Sequence, residues 1–241
     1  MAKHANDLLK NHFLFQGLPD ECLVHLSKGT RVQNFPAETI LFNQGETPDF
    51  LYIAIEGSFE LFVVDVDGNE TVVEISSAPN AYTIGAVLTG APYIVSGRVL
   101  QKARLLMLDA RELMECVSKY PMFSQYLLSH LTWQFRTMVR QIVSLKTKST
   151  TERLGCHLLN LWSDRKSQDC IELPYDNRRL ATRLGMTTVS LSRAFKILNQ
   201  HGVTHVGKKV RITDENSLRA YCQPDEFLIE QEKPLPLRLL N

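Results

Sequence analysis

The 241-residue sequence has five cysteines, none of them in a Cys-x-x-Cys pair. Their scatter (Cys22, Cys116, Cys156, Cys170, Cys222) and odd number argue against a disulfide framework and against a zinc site built from cysteine pairs. No apolar run reaches the roughly 20 residues that a membrane helix needs. The start, MAKHANDLLKNH, lacks the apolar stretch of a secretion signal. These absences predict a soluble, cytoplasmic chain with no membrane partner and with reduced, mostly structural thiols. Catalytic signatures are missing too: there is no His-x-His metal motif, no Gly-x-Ser-x-Gly and no phosphate-binding loop. An enzyme finds little support, and no metal is predicted.

Neither charge sign is in excess overall, the net being +1, but the charge is unevenly divided. Residues 148–222 hold 13 Lys and Arg against 7 Asp and Glu, a net of +6, and the remainder holds 14 against 19, a net of −5. A local cationic surplus is what neutralising phosphates requires. Within that basic region lies LATRLGMTTVSLSRAFKIL, residues 180–198. Leu180, Ala181 and Leu184 form one apolar side and Gly185-Met186 a turn. Leu191, Ala194, Phe195 and Leu198 form a second apolar side. That is the layout of a helix-turn-helix, whose second helix enters the major groove of double-stranded DNA. Its outward face carries Thr188, Ser192, Arg193 and Lys196, types that meet bases and phosphates.

Elsewhere the texture changes along the chain. Asn6–Ser27 reads as one or two short helices around Gly17-Leu18-Pro19. From Thr30 to Asp109, short β-rich runs alternate with turn residues, among them the hairpin signal Asp67-Gly68-Asn69, and suggest a compact antiparallel barrel or roll. Pro121 starts a long helix running to about Lys146. On it Leu128, Leu131, Phe135, Met138, Ile142 and Leu145 fall at alternating spacings of 3 and 4, a narrow seam that favours a parallel coiled-coil homodimer. Lys146–Thr151 breaks the seam as a hinge, Glu152–Trp162 is amphipathic, and Asp164–Asp169 is a polar loop. Gly202 is expected as the C′ residue of the second motif helix. Val203–Val206 and Lys209–Ile212 read as a wing around Gly207-Lys208, from which Lys208, Lys209 and Arg211 could reach phosphates. The predicted class is α+β, with a β-roll at 1–120, a dimerisation helix at 121–147, a winged helix-turn-helix at 148–222 and a tail at 223–241.

This order resembles the CRP/FNR superfamily of bacterial transcription regulators. The resemblance is carried by Pro36…Leu41-Phe42-Asn43-Gln44-Gly45-Glu46, Leu51-Tyr52-Ile53…Gly57-Ser58, Asp67-Gly68, Arg153-Leu154, Leu173-Pro174 and the helix-turn-helix through Gly202-Val203. It implies a double-stranded β-roll sensor, a homodimer through the long helix, a palindromic operator and contact with RNA polymerase. It also implies base contacts from Thr188, Val189, Ser192 and Arg193, with Arg193 donating to a guanine edge. Asn177, Arg178, Thr187, Ser190, Lys196, Lys208 and Lys209 are the implied phosphate contacts, and Thr187 the helix N-cap.

Two positions depart from the family pattern. Where the family commonly has a glutamate that accepts from a cytosine amino group, this chain has Val189, which suits a thymine methyl instead. Where cyclic-nucleotide binders have Gly-Glu for the ribose and an arginine for the cyclic phosphate, this chain has Gly85-Ala86 and Tyr93. With Ile94 these are the effector-pocket candidates. A phosphate buried without its cation is costly, so the expected effector is something other than cyclic AMP, or there is none. Cys22 is the only cysteine in the first hundred residues, which excludes the iron–sulfur branch. Tyr93-Ile94-Val95 resembles a nitric-oxide-responsive branch in which haem is a proposed ligand. No cofactor is predicted; haem on one of the seven histidines (His4, His12, His25, His130, His157, His201, His205) is the alternative. A nucleotide-sensing or scaffold module without DNA binding is the alternative of another class.

Overall fold

The computed structural model describes residues 2–163, 170–173 and 175–225. The expected Asp164–Asp169 loop, Pro174 and the tail from residue 226 onward lie outside the described residues. Packing divides the chain into two units, one ending at Gln134 and the other beginning at Phe135.

The first unit opens with α1 (Ala2–Asn11) and α2 (Asp20–Lys28). Asp20 and Glu21 in the first turn of α2 and Lys28 in its last turn complement the helix dipole. Six strands follow: β1 (Thr30–Phe35), β2 (Ile40–Phe42), β3 (Phe50–Glu56), β4 (Ser58–Val64), β5 (Glu70–Ser77) and β6 (Asn80–Tyr82). Then come α3 (Ile84–Thr89), β7 (Ser96–Val99) and β8 (Ala103–Asp109). They pair antiparallel in two four-stranded sheets of order β1-β8-β3-β6 and β2-β7-β4-β5. The β4–β5 turn forms where Asp67-Gly68-Asn69 predicts it. The Asp65 carboxylate accepts from the backbone N–H of Asp67 and Asn69 at 2.9 and 2.8 Å, and Gly68 takes φ +82°.

Strand alternation separates two cores. Leu51 and Ile53 of β3, with Leu106 and Leu108 of β8, join Leu9, Leu14, Phe15, Leu26 and Phe123 from the helical segments. Tyr52 and Ala54 of β3, with Ala103 and Leu105 of β8, turn the other way into an aromatic cluster with Phe42, Phe59, Tyr82 and Tyr93. Both faces of these two strands are therefore buried. That explains their near-continuous apolar sequence. α4 (Ala110–Lys119) starts at an Asp109 cap that accepts from Arg111 N–H at 2.9 Å. α5 (Pro121–Thr147) then begins with proline at its first position and runs 27 residues, about 40 Å.

The second unit holds α6 (Thr150–Ser163), β9 (Ile171–Glu172), α7 (Asn177–Arg183), α8 (Thr188–Asn199), β10 (Val203–Val206), β11 (Lys209–Ile212) and α9 (Glu215–Cys222). The break between α5 and α6, read from the sequence as a hinge, has a local cause. Ser149 and Glu152 form a reciprocal capping box: Ser149 N–H donates to Glu152 Oε2 at 2.7 Å and Glu152 N–H to Ser149 Oγ at 3.3 Å. The wing is a sheet of order β10-β11-β9, one strand larger than the expected hairpin. One expectation is corrected. α8 ends at Asn199 with Gln200 as its cap, so Gly202 is not C′ but lies one residue further on. Its φ of +79° turns the chain into β10, and a Cβ there would come within 2.6 Å of the Asp214 backbone nitrogen.

Candidate nucleic-acid interface and effector region

The helix-turn-helix is assembled by local hydrogen bonds. Asp176 caps α7 by accepting from Arg179 N–H at 2.9 Å. Leu180 and Ala181 are buried beneath it, and Gly185 makes the turn at φ +62°. Arg153 of α6 fastens that turn: Nε donates to the Leu184 carbonyl at 2.9 Å, Nη2 to the Gly185 carbonyl at 3.1 Å, and Nη1 to the Lys148 carbonyl at 2.8 Å. Thr187 then caps α8, its hydroxyl accepting from Ser190 N–H at 3.1 Å, as expected, and donating to Ser190 Oγ at 3.0 Å.

The two faces of α8 divide as the sequence spacing requires. Leu191, Ala194, Phe195 and Leu198 are buried. Thr188, Val189, Ser192, Arg193 and Lys196 are exposed, with Val189 59% accessible although it is apolar. The ring of Phe195 stacks on His205 of β10 at 3.9 Å and 7°, locking the wing to the helix. Asn177, Ser192, Lys196, Asn199 and His205 line one cleft. Arg178 is exposed at the start of α7, and Lys208 and Lys209 are exposed at the wing tip. Ten of the eleven predicted DNA-facing residues are thus exposed, Asn177 among them at the edge of the cleft, and Ser190 is half-buried.

Along α5, Leu128 is 55% accessible, Phe135 66%, Met138 50%, Ile142 51% and Leu145 49%. Leu131 differs: it is half-buried against the first unit's helical core. An apolar stripe that keeps about half of its surface in water would gain from burial against a partner.

The four effector-pocket candidates do not share one environment. Gly85 is exposed and Ala86 half-buried on α3, Ile94 is 81% accessible, and Tyr93 is buried. Tyr93 lies 4.2 Å from the Phe42 ring and donates to the Phe50 carbonyl at 3.3 Å, and burial pushes its hydroxyl pKa up. Thr83, which precedes α3, takes φ +69°, a conformation that costs a β-branched residue about 1–3 kcal/mol. Arg98, the next arginine along the chain, is engaged by carboxylates. Its Nε donates to the fully buried Glu60 at 2.8 Å and its Nη2 to Glu70 at 2.8 Å, while the guanidinium lies 4.5 Å over the Phe62 ring. Position 86 is thus a half-buried alanine and position 93 a buried tyrosine, while Arg98 is held by carboxylates.

The histidines with described side chains are engaged by protein groups. His12 accepts from Leu14 N–H, His130 bonds the Ala81 carbonyl at 3.2 Å, and His157 meets the Tyr175 hydroxyl at 2.7 Å. Burial lowers the pKa of His12 and His130 to about 4 each, and that of His157 to about 3 with help from Arg183. His25 lies 2.9 and 3.3 Å from the carboxylates of Glu112 and Glu115, and His201 stacks on Tyr221.

Comparison with known proteins agrees with this architecture. Residues 32–120 match the cyclic nucleotide-binding domain family and residues 152–221 the Crp-like helix-turn-helix domain family. The chain is 22% identical over 218 residues to a CRP-like cAMP-activated global transcriptional regulator of Mycobacterium tuberculosis, covering 88% of this chain and 97% of that one. It is 25% identical over 185 residues to the transcriptional activator protein FnrA of Stutzerimonas stutzeri, covering 75% of each. Among solved structures, a putative cAMP-binding regulatory protein from Silicibacter pomeroyi matches with a TM-score of 0.61 at 26% identity, over 92% of this chain and 99% of that one. A sensor of cyclic nucleotide-binding fold joined to a Crp-type helix-turn-helix defines a class of DNA-binding regulator, not an enzyme. This chain belongs to the CRP/FNR family of transcription regulators.

Proposed function

We propose that the chain works as a homodimer that binds a palindromic operator, with α8 of each protomer in the major groove. In this reading residues 1–120 sense, 121–147 dimerise and 148–222 bind DNA. The observation that carries it is the polar, exposed face of α8 opposite a fully buried apolar one. Arg193 donates to a guanine edge, Thr188, Val189 and Ser192 meet neighbouring bases, and Asn177, Arg178, Thr187, Ser190, Lys196, Lys208 and Lys209 hold phosphates. The exposed stripe from Leu128 to Leu145 supports pairing of α5 with its twin.

Control comes from something other than cyclic AMP. Tyr93 and Ala86 stand where a cyclic phosphate and ribose need a cation and a carboxylate, and Arg98 is held by Glu60 and Glu70. Val189 makes the sequence preference specific: the G·C pair read by the family glutamate is not selected. The test is binding of the full-length chain to DNA randomised through one half-site. Free choice or a thymine at that position supports the reading; strong retention of G·C there refutes it.

A further inference from the structure

Four of the five cysteines, scattered in sequence, come together as two pairs. The two pairs differ in kind. Cys22 and Cys116 are 0% and 1% accessible, and burial pushes the Cys116 thiol up to about 12. That pair is dry and inert. Cys156 on α6 and Cys222 at the end of α9 are different. Cys222 is buried, its sulfur seated over Gly155, where any side chain at 155 would collide with it. Cys156 is only half-buried and donates to the Cys222 carbonyl at 3.7 Å. It lines a hollow with Arg140, Lys148, Arg153, Arg183 and Asp225. The Lys148 ammonium donates to the carbonyls of Cys222 and Gln223 at 3.1 and 2.9 Å, placing a full positive charge beside the pair.

We propose that Cys156 and Cys222 form an oxidisable dithiol, with Cys156 the thiolate that attacks a peroxide and Cys222 the thiol that resolves it. The Lys148 ammonium gives Cys156 the kind of neighbour beside which thiolates form, and the Cys222 sulfur lies over Gly155, the residue next to Cys156. The electrostatics divide the roles the same way: the Cys222 thiol and Lys148 hold Cys156 below its usual value, while its hydrogen bond to Cys156 and burial raise Cys222. In the first step the Cys156 thiolate attacks one oxygen of hydrogen peroxide. An S–O bond forms, the O–O bond breaks and hydroxide leaves. The Cys222 sulfur then attacks the Cys156 sulfenic sulfur, forming S–S and breaking S–O, and the departing hydroxide leaves as water with the Cys222 proton. Two thiols and one peroxide become one disulfide and two waters.

The pair has a route to the DNA-binding turn. Lys148, which holds the carbonyl of Cys222, offers its own carbonyl to Arg153, and Arg153 holds the Leu184 and Gly185 carbonyls just before α8. Closing the disulfide shifts the end of this chain of contacts and weakens operator binding; this second half rests on the DNA-binding function proposed above.

The experiment treats the reduced full-length chain with hydrogen peroxide and maps its peptides by mass spectrometry. Expected are a Cys156–Cys222 cross-link reversible by dithiothreitol, and, in Cys222→Ser, a Cys156 sulfenic acid trapped by dimedone. Cys170 serves as the internal comparison thiol. Oxidation of Cys170 ahead of Cys156, or absence of the cross-link in the wild-type chain, overturns the proposal. Affinity for a selected operator is measured on both redox forms, with a loss of about fivefold or more expected on oxidation and none in Cys156→Ser. A cross-linked form that binds unchanged overturns the regulatory half. A chain that selects no DNA in either form instead overturns the DNA-binding function, with the thiol chemistry still read from the peptides.

Discussion

Arg193 is the residue proposed above to read a guanine edge. It sits on the exposed face of α8, one residue from Ser192, whose hydroxyl donates back to the Thr188 carbonyl at 3.1 Å. A guanidinium held at that point can give two parallel hydrogen bonds to guanine, a contact worth about 1–3 kcal/mol of discrimination. Arg193→Ala is expected to weaken binding to the best operator about 5- to 150-fold and to relax preference at one base pair of each half-site. Because the side chain is exposed, circular dichroism and melting stay unchanged. Fluorescence anisotropy on matched and mismatched duplexes reads both effects, and an unchanged preference would remove Arg193 from the interface. Residues of this kind were legible in the sequence, since a helical face is defined by neighbours three and four positions away. Residues whose partners lie far off were not. Arg98 is tied to Glu60 and Glu70 across 38 and 28 residues, and Cys156 to Cys222 across 66, so spacing alone left the cation uncommitted and the cysteines scattered.

At the scale of elements, the period of the apolar residues fixed most assignments. The 3-and-4 spacing on α5 places five exposed apolar side chains in one stripe, and only Leu131 turns out to be shared with the protomer's own core. Phe135, at 66% accessible, is the position where a charge harms the fold least and the seam most. Phe135→Glu is expected to run as a monomer in light scattering while keeping its helix content, and to lose operator binding. A variant that remains dimeric would show that α5 does not pair through this stripe. Elements stabilised by tertiary contacts were harder to read. β9 is two residues long and exists by pairing with β11, and α3 follows a left-handed Thr83 that no local propensity favours. The break after α5 was read only as a polar hinge, and the reciprocal bonds of Ser149 and Glu152 supply its physical reason.

For the molecule as a whole, buried neutral histidines set the acid limit of stability. His12 and His130 in the first unit and His157 in the second titrate at about 4, 4 and 3 when folded, against 6.5 when exposed. Between those values the unfolded chain binds protons that the folded chain refuses. Stability is therefore fully present above pH 6.5 and falls as pH drops toward 4, by about 3 kcal/mol for each such group. The urea midpoint should decline over that window, and His130→Phe should flatten the decline, since Gln134 also donates to the Ala81 carbonyl at 3.1 Å. A midpoint constant from pH 7 to 4.5 would contradict the assignment of buried neutral histidines.

The proposed function requires a symmetric dimer that reads DNA through α8. Selection of random duplexes by the full-length chain, followed by sequencing, tests it most directly. Expected is a two-fold symmetric motif whose half-sites are centred one helical turn, about 34 Å, apart, with a guanine that disappears in Arg193→Ala. An asymmetric motif, or no enrichment, would contradict it.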